Sequence, residues 1–297
     1  VGLGMTRFWA FFYILCAVTS LIAGPKFKQG DVVALVGNGF VEREGLESYI
    51  ETGLVLAHPD IHFSLRNFGW SGDTVKGASR GYFDENGYPN LLSKVSEVKP
   101  SVIILNYGSL AARNGSEGLA QFKTDYQKLI QDLKEKTKAR IILMTPFNQK
   151  SFEPLEINPE NYNKDLSSYV ESIRGIAQTQ QLQLIDLAST FSIKKDSWTS
   201  NSIHLTPEGY WNVGLEIAKA FGWKKTKVEI KLNKKSIVSV SGTKISEFSA
   251  SKDTIRFKAI DDVLSYPASP NGKSFKSLTL DGLNANDNYS LKINGEF

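Results

Sequence analysis

Cysteine is almost missing from the 297-residue chain: Cys16 is the only one, so no intrachain disulfide can form. Histidine is scarce too, with three. Two of them, His58 and His62, stand four apart, but Pro59 and Asp60 between them break the helix that would align them as ligands. No metal site is expected. Neither sign of charge is in large excess, since 35 Lys and Arg oppose 31 Asp and Glu for a formal charge of +4. So even a balance, without a dense basic stripe, gives no support to nucleic-acid binding. At 41% hydrophobic and 22% charged, the composition also lacks the bias of a disordered, collagenous or coiled-coil chain. An ordinary globular protein remains, long enough for one large domain and a smaller one.

There is one long apolar run, FWAFFYILCAVTSLIA from Phe8 to Ala23, preceded by Arg7 and followed by Gly24-Pro25. A positive start, an apolar stretch and a small residue at its end predict a secretory signal peptide over 1–23. The run is shorter than the roughly 20 residues that span a bilayer. Export to the periplasm or the extracellular space follows, with no stable membrane span once the signal is cleaved. An uncleaved anchor is the alternative.

Beyond Gly30, short apolar runs alternate with helical periods. Val32 to Val36, Ile61 to Phe68, Ser101 to Leu105, Ile141 to Met144 and Leu182 to Leu187 read as strands. Between them, apolar residues recur at helical spacing: Leu46, Tyr49, Ile50, Leu54 and Ala57; Leu119 to Leu133; Tyr162 to Ala177. Thr206 and Pro207 open a last helix carrying Tyr210, Val213, Ile217 and Phe221 inward. Such alternation predicts a parallel sheet covered on both faces, over 24–223. After Trp223 the pattern changes to a lysine-rich stretch and short alternating strands. These are Val228 to Leu232, Ile237 to Val240, Thr254 to Ala259, Ser277 to Leu280 and Tyr289 to Ile293. They predict a small β domain over 224–297, and an end directly after a strand suggests truncation. The lysines suit a solvated linker and strand edge.

In an open parallel sheet the site lies beyond the carboxyl ends of the strands. The segments there are Gly37-Asn38-Gly39-Phe40, Gly69-Trp70-Ser71-Gly72-Asp73, Tyr107-Gly108-Ser109-Leu110-Ala111 and Asn201-Ser202-Ile203-His204. In this order they resemble the SGNH (GDSL-type) hydrolases, from about Asp31 to Gly222. The phrases Asn67-Phe68-Gly69-Trp70-Ser71-Gly72-Asp73-Thr74 and Ile203-His204-Leu205-Thr206-Pro207-Glu208-Gly209-Tyr210-Trp211 carry the resemblance. It implies a three-layer α/β/α sandwich with five parallel strands, hydrolysis of esters, often acetyl esters on carbohydrates or lipids, and no metal or organic cofactor.

The family mechanism needs a serine nucleophile after the first strand and a histidine base near the last helix. An aspartate three residues earlier orients that base, and oxyanion donors come from a glycine and an asparagine. Carried over residue by residue, the pattern breaks. Gly39 stands at the nucleophile position, Leu110 at the oxyanion asparagine and Asn201 at the orienting acid, while Gly72 and His204 are retained. The resemblance thus implies a degenerate catalytic site that keeps a cleft for a small-molecule or glycan ligand. Asn38, Trp70, Ser71, Asp73 and Ser109 are its candidate contacts, and Glu42 with Arg43 a candidate clamp. Two alternatives stand beside this: an active hydrolase with Ser71 or Ser109 as nucleophile, and a structural envelope protein acting through the β domain.

Overall fold

The computed structural model describes residues 25–81, 86–224, 227–262, 264–284 and 286–294; the predicted signal over 1–23 lies outside them. Strands β1 (Val32–Gly37), β2 (Ser64–Gly69), β3 (Val102–Asn106), β4 (Arg140–Met144) and β5 (Gln183–Ile185) form one parallel sheet. Their order is β2-β1-β3-β4-β5. Successive side chains of a strand point to opposite faces, and each face has its own core. Ala34, Val36, Ile103 and Leu105 face α3 (Gly87–Glu97), α4 (Leu119–Thr137) and α5 (Glu160–Thr179). Val33, Leu35, Val102 and Ile104 face α1 (Gly39–Glu47), α2 (Tyr49–Ala57) and α7 (Pro207–Ala220), with the short α6 (Leu187–Thr190) beside them. The continuous apolar runs of β1 and β3 are what a doubly covered strand requires. The result is a three-layer α/β/α sandwich. Among the described residues no helix is long and apolar enough to cross a membrane.

The helical face drawn through Leu46 and Ala57 is in fact two helices. Ser48 takes a left-handed φ of 55°, and Leu46 is 82% exposed instead of facing inward. The break follows from Glu44. Its buried carboxylate accepts the backbone N–H of Ile50 (2.6 Å) and of Glu51 (3.1 Å), and so caps α2 from within α1. Burial, outweighing those two hydrogen bonds, pushes the Glu44 carboxyl up to about 8. A folded-state pKa above the unfolded one gives stability that is present at low pH and lost as pH rises through the folded value. Unfolding free energy should therefore decline between about pH 5 and about pH 8 in the natural chain and stay flatter in Glu44→Gln. Urea titrations across that range measure it, and parallel curves for the two proteins would refute the assignment.

The carboxy-terminal segment adds β6 (Val228–Asn233), β7 (Ile237–Ser241), β8 (Thr243–Ala250), β9 (Ile255–Asp261) and β10 (Lys276–Asp281). They form a β10-β6-β7 sheet and a β8-β9 hairpin. Two expectations change. β8 has no counterpart among the predicted strands, because its sequence, TKISEFSA, alternates too weakly to be read as one. Tyr289 to Ile293 is not among the strands; Tyr289, Leu291 and Ile293 stay exposed. A third core joins this segment to the sandwich. Trp211 of α7 packs against Tyr266 (5.6 Å between ring centres) and stacks on Phe275 (5.9 Å), and Trp223, at the expected boundary, packs with them. The Trp211 indole donates to the Pro267 carbonyl (2.9 Å), and the Tyr266 hydroxyl to that of Tyr49 (3.1 Å).

Candidate functional site

Everything converges on the first turn of α1. Two glycines let it approach the sheet: a Cβ on Gly37 would lie 2.6 Å from Val41 Cγ2, and one on Gly69 2.0 Å from the Glu42 nitrogen. Asn38 caps the helix, its side-chain oxygen accepting from the Phe40 N–H (3.4 Å), while its amide donates to Ser109 Oγ (2.8 Å) in the loop after β3. Gly39 faces the loop after β2. A Cβ built there stands 3.2 Å from Ser71 Oγ, with no backbone group in the way and no left-handed φ. Phe40 stacks on Tyr210 (5.6 Å), whose hydroxyl donates to the Phe40 carbonyl (2.7 Å) and so fixes α7.

In the loop after β2, Ser71 Oγ donates to the Glu42 carboxylate. Gly72 turns the chain with a φ of 73°. Asp73, read as a candidate ligand contact, is fully buried. One of its oxygens takes Arg80 Nε (2.6 Å) and the Tyr107 hydroxyl (2.9 Å), and Arg80 also donates to the Phe68 carbonyl (2.6 Å). Burial, opposed by Arg80, raises the Asp73 pKa. Asp73 therefore acts on the site only through the turn it anchors. Above this pair Trp70 is 47% exposed, with the Arg80 guanidinium 5.8 Å from its ring centre. The loop after β3 is held by Tyr162, which donates to the Ser109 carbonyl (2.8 Å), and it presents Leu110 to solvent.

The loop before α7 carries the most informative geometry. The side-chain oxygen of Asn201 accepts the backbone N–H of His204 (2.8 Å) and of Ile203 (3.2 Å). That fixes the amide orientation and turns its nitrogen toward His204 Nδ1 at 3.0 Å. An amide N–H can only donate, so Nδ1 is the acceptor and the neutral ring carries its proton on Nε2; the assignment follows from the hydrogen-bond network. Burial first, then the positive charge of nearby Arg43, lowers the His204 pKa, which keeps the ring neutral. Buried Ser202 ties this loop to the one after β4 by donating to the Lys150 carbonyl (2.6 Å).

The structure thus brings Asn38, Gly39, Ser71 and Ser109 into one cluster and couples Asn201 to His204 in another, with Arg43 of α1 acting on the second. Of the pair read as a clamp, Glu42 accepts from Ser71 Oγ, and the charge of Arg43 is near enough to His204 to lower its pKa. Sequence reasoning missed the supports Arg80, Tyr107 and Tyr162. Tyr107 lies in a quoted segment but has no chemistry of its own, and Arg80 belongs to no local pattern. His58 is structural, with Nδ1 bonded to the Leu54 carbonyl and Nε2 accepting from the Phe27 N–H (3.2 Å).

Residues 39–211 match the model of the GDSL-like lipase/acylhydrolase family. No curated protein matches the chain. Among solved structures, a gut microbial diltiazem-metabolizing enzyme superposes with a TM-score of 0.60 at 19% identity. That match covers 85% of this chain, but the chain spans only 62% of the enzyme's length. Axe2, an acetylxylan esterase from Geobacillus stearothermophilus, superposes with a TM-score of 0.53 at 16% identity over 67% of this chain and 98% of its own. At these identities the likeness is one of fold.

Proposed function

The chain belongs to the GDSL-like lipase/acylhydrolase family, and from that premise we propose an exported protein whose cleft binds an acyl ester of a carbohydrate or lipid without hydrolysing it by the family route. The observation that carries this is the Asn201–His204 hydrogen bond. A general base must offer a lone pair to the nucleophile's proton. With its proton on Nε2, His204 instead offers a donor to the cleft, suited to an ester carbonyl oxygen. Gly39 supplies no hydroxyl for a base to deprotonate, and Leu110 no oxyanion donor. What the cleft retains is recognition: the His204 N–H, the turn at Gly72 and the exposed Trp70 ring.

Two measurements test this. Nitrogen-15 shifts of the ring should report the Nε2–H tautomer in the natural chain. In Asn201→Asp they should report a proton moved to Nδ1 and a raised pKa, because a carboxylate accepts where the amide donated and stabilises the imidazolium. Turnover of simple acetyl esters should stay near background. Robust hydrolysis abolished by His204→Ala would overturn the reading.

One observation favours a second reading. Ser71 Oγ lies against the place where a side chain on Gly39 would begin, and it already donates to a carboxylate, Glu42. A serine–carboxylate pair there would make the protein an atypical hydrolase. A fluorophosphonate probe that labels Ser71, and fails on Ser71→Ala, would establish it.

A further inference from the structure

We propose that the end of the sandwich opposite the cleft docks on an anionic phospholipid surface through Lys26, Lys28, Lys99, Lys138 and Arg140. The amino ends of the parallel strands share that end, and cations stand at three neighbouring ones. Lys26 and Lys28 precede β1, Lys99 precedes β3, and Lys138 precedes Arg140, the first residue of β4. The three strands are adjacent, with Val33 opposite Val102 and Val102 opposite Arg140. One buried carboxylate ties them together. Asp31 accepts from Arg140 Nη2 (2.6 Å), Ser101 Oγ (2.6 Å) and the Lys28 N–H (2.7 Å), while Arg140 Nη1 donates to the Lys26 carbonyl (2.8 Å). Beside Arg140 a groove of about 430 Å³, lined also by Lys134, Lys138 and Gln181, is open to a phosphate headgroup.

The side chains of Lys26, Lys28, Lys99 and Lys138 are exposed and pair with no carboxylate among the described residues. Acids at this end are few and mostly engaged. Asp31 is buried against Arg140, Glu97 pairs with Lys94, Glu135 accepts from Gln131, and Asp60 stands off ahead of β2, the edge strand. The dipole of α4 accounts for Lys134 and Lys138 at its carboxyl end, but Lys26 and Lys28 belong to no helix. The chain itself favours a bilayer over a soluble polyanion. Lys26 follows the apolar run from Phe8 to Ala23 almost directly, so a membrane met by that run is met by these lysines too. Basic residues beside an apolar segment are held by anionic lipid, each strengthening binding about fivefold. Docked this way, the cleft at the carboxyl ends of the same strands faces away from the bilayer.

Flotation of the full chain with lipid vesicles tests the proposal. Replacing about a third of the phosphatidylcholine by phosphatidylglycerol should raise partitioning about 100-fold or more at low salt, and a high salt concentration should cancel the gain. The neutral vesicles report whatever the apolar run binds by itself. Lys26→Gln, Lys28→Gln, Lys99→Gln and Lys138→Gln together should bring partitioning back to within about tenfold of the neutral level. Lys231→Gln, Lys234→Gln, Lys235→Gln and Lys244→Gln remove the same charge from the carboxy-terminal segment and should keep most of the gain. All eight side chains are exposed, and circular dichroism verifies that both variants keep their fold. Equal losses in the two variants would overturn the docking face, as would a gain that survives the first. Equal partitioning into both kinds of vesicle would overturn it as well, and soluble polyphosphate bound by the first four lysines in that case would replace the membrane as the partner.

Discussion

Gly39→Ser, Leu110→Asn and Asn201→Asp made together should hydrolyse 4-nitrophenyl acetate at least about 1000-fold faster than the natural chain. Each change repairs a separate defect. The serine supplies the hydroxyl, and nothing in the backbone opposes it: Gly39 has no left-handed φ, and the one close neighbour, Ser71 Oγ at 3.2 Å, is a side-chain tip that can rotate away. The aspartate returns Nε2 to the accepting tautomer, a defect that by itself lowers turnover about 10,000-fold in a serine triad. The asparagine restores an oxyanion donor, each of which contributes about 100- to 1000-fold. Gly39→Ser alone should gain little, because a hydroxyl facing an Nε2–H has no base to take its proton. Groups that act as a unit are strongly non-additive, so the triple variant must far exceed the product of the singles. Stopped-assay rates decide it, and a triple variant within about tenfold of the natural chain would mean that the cleft is not shaped for the tetrahedral intermediate.

Asp73→Ala should destabilise the fold by about 3–5 kcal/mol. The Asp73–Arg80 pair is nearly dry, with the Asp73 side chain fully buried and that of Arg80 7% exposed. Taking away the carboxylate strands a buried guanidinium and frees the Tyr107 hydroxyl at the same time. Asp73→Ala with Arg80→Ala should recover part of the loss, since the uncompensated charge goes with it. Urea unfolding of the two single variants and the double variant measures the coupling. A cost under about 1 kcal/mol for Asp73→Ala would show that the pair behaves as a solvated surface bridge. Because Arg80, once stranded, also holds the Phe68 carbonyl near the end of β2, the same variant should loosen the loop that carries Trp70 and Ser71.

The sandwich was readable because its signals are local. The unbroken apolar runs at β1 and β3 and the apolar stripe of α4 follow from period alone, and Thr206-Pro207 announces the start of α7. The break at Ser48 was not readable, since it depends on a carboxylate at position 44 bonding amides at 50 and 51 in preference to remaining on the helix surface. β8 was lost for a related reason: a mostly exposed hairpin strand carries little apolar alternation. At the site, strand ends picked out the segments that follow β1, β2 and β3, which carry Gly39, Gly72 and Leu110. They could not reveal that Asp73 is buried, because its partner Arg80 stands seven residues on, in a 3-10 turn without a motif of its own.

Tyr210 and Trp211 are neighbours in the chain, yet they are fastened to different bodies: Tyr210 to the Phe40 carbonyl at the cleft, Trp211 to Pro267 in the carboxy-terminal segment. Adjacent residues on a helix diverge by about 100° around its axis. α7 is thus pinned on two sides of its circumference, like an axle keyed into two hubs, and it cannot roll without withdrawing one key. The carboxy-terminal segment and the first turn of α1 are thus held by consecutive residues of one helix.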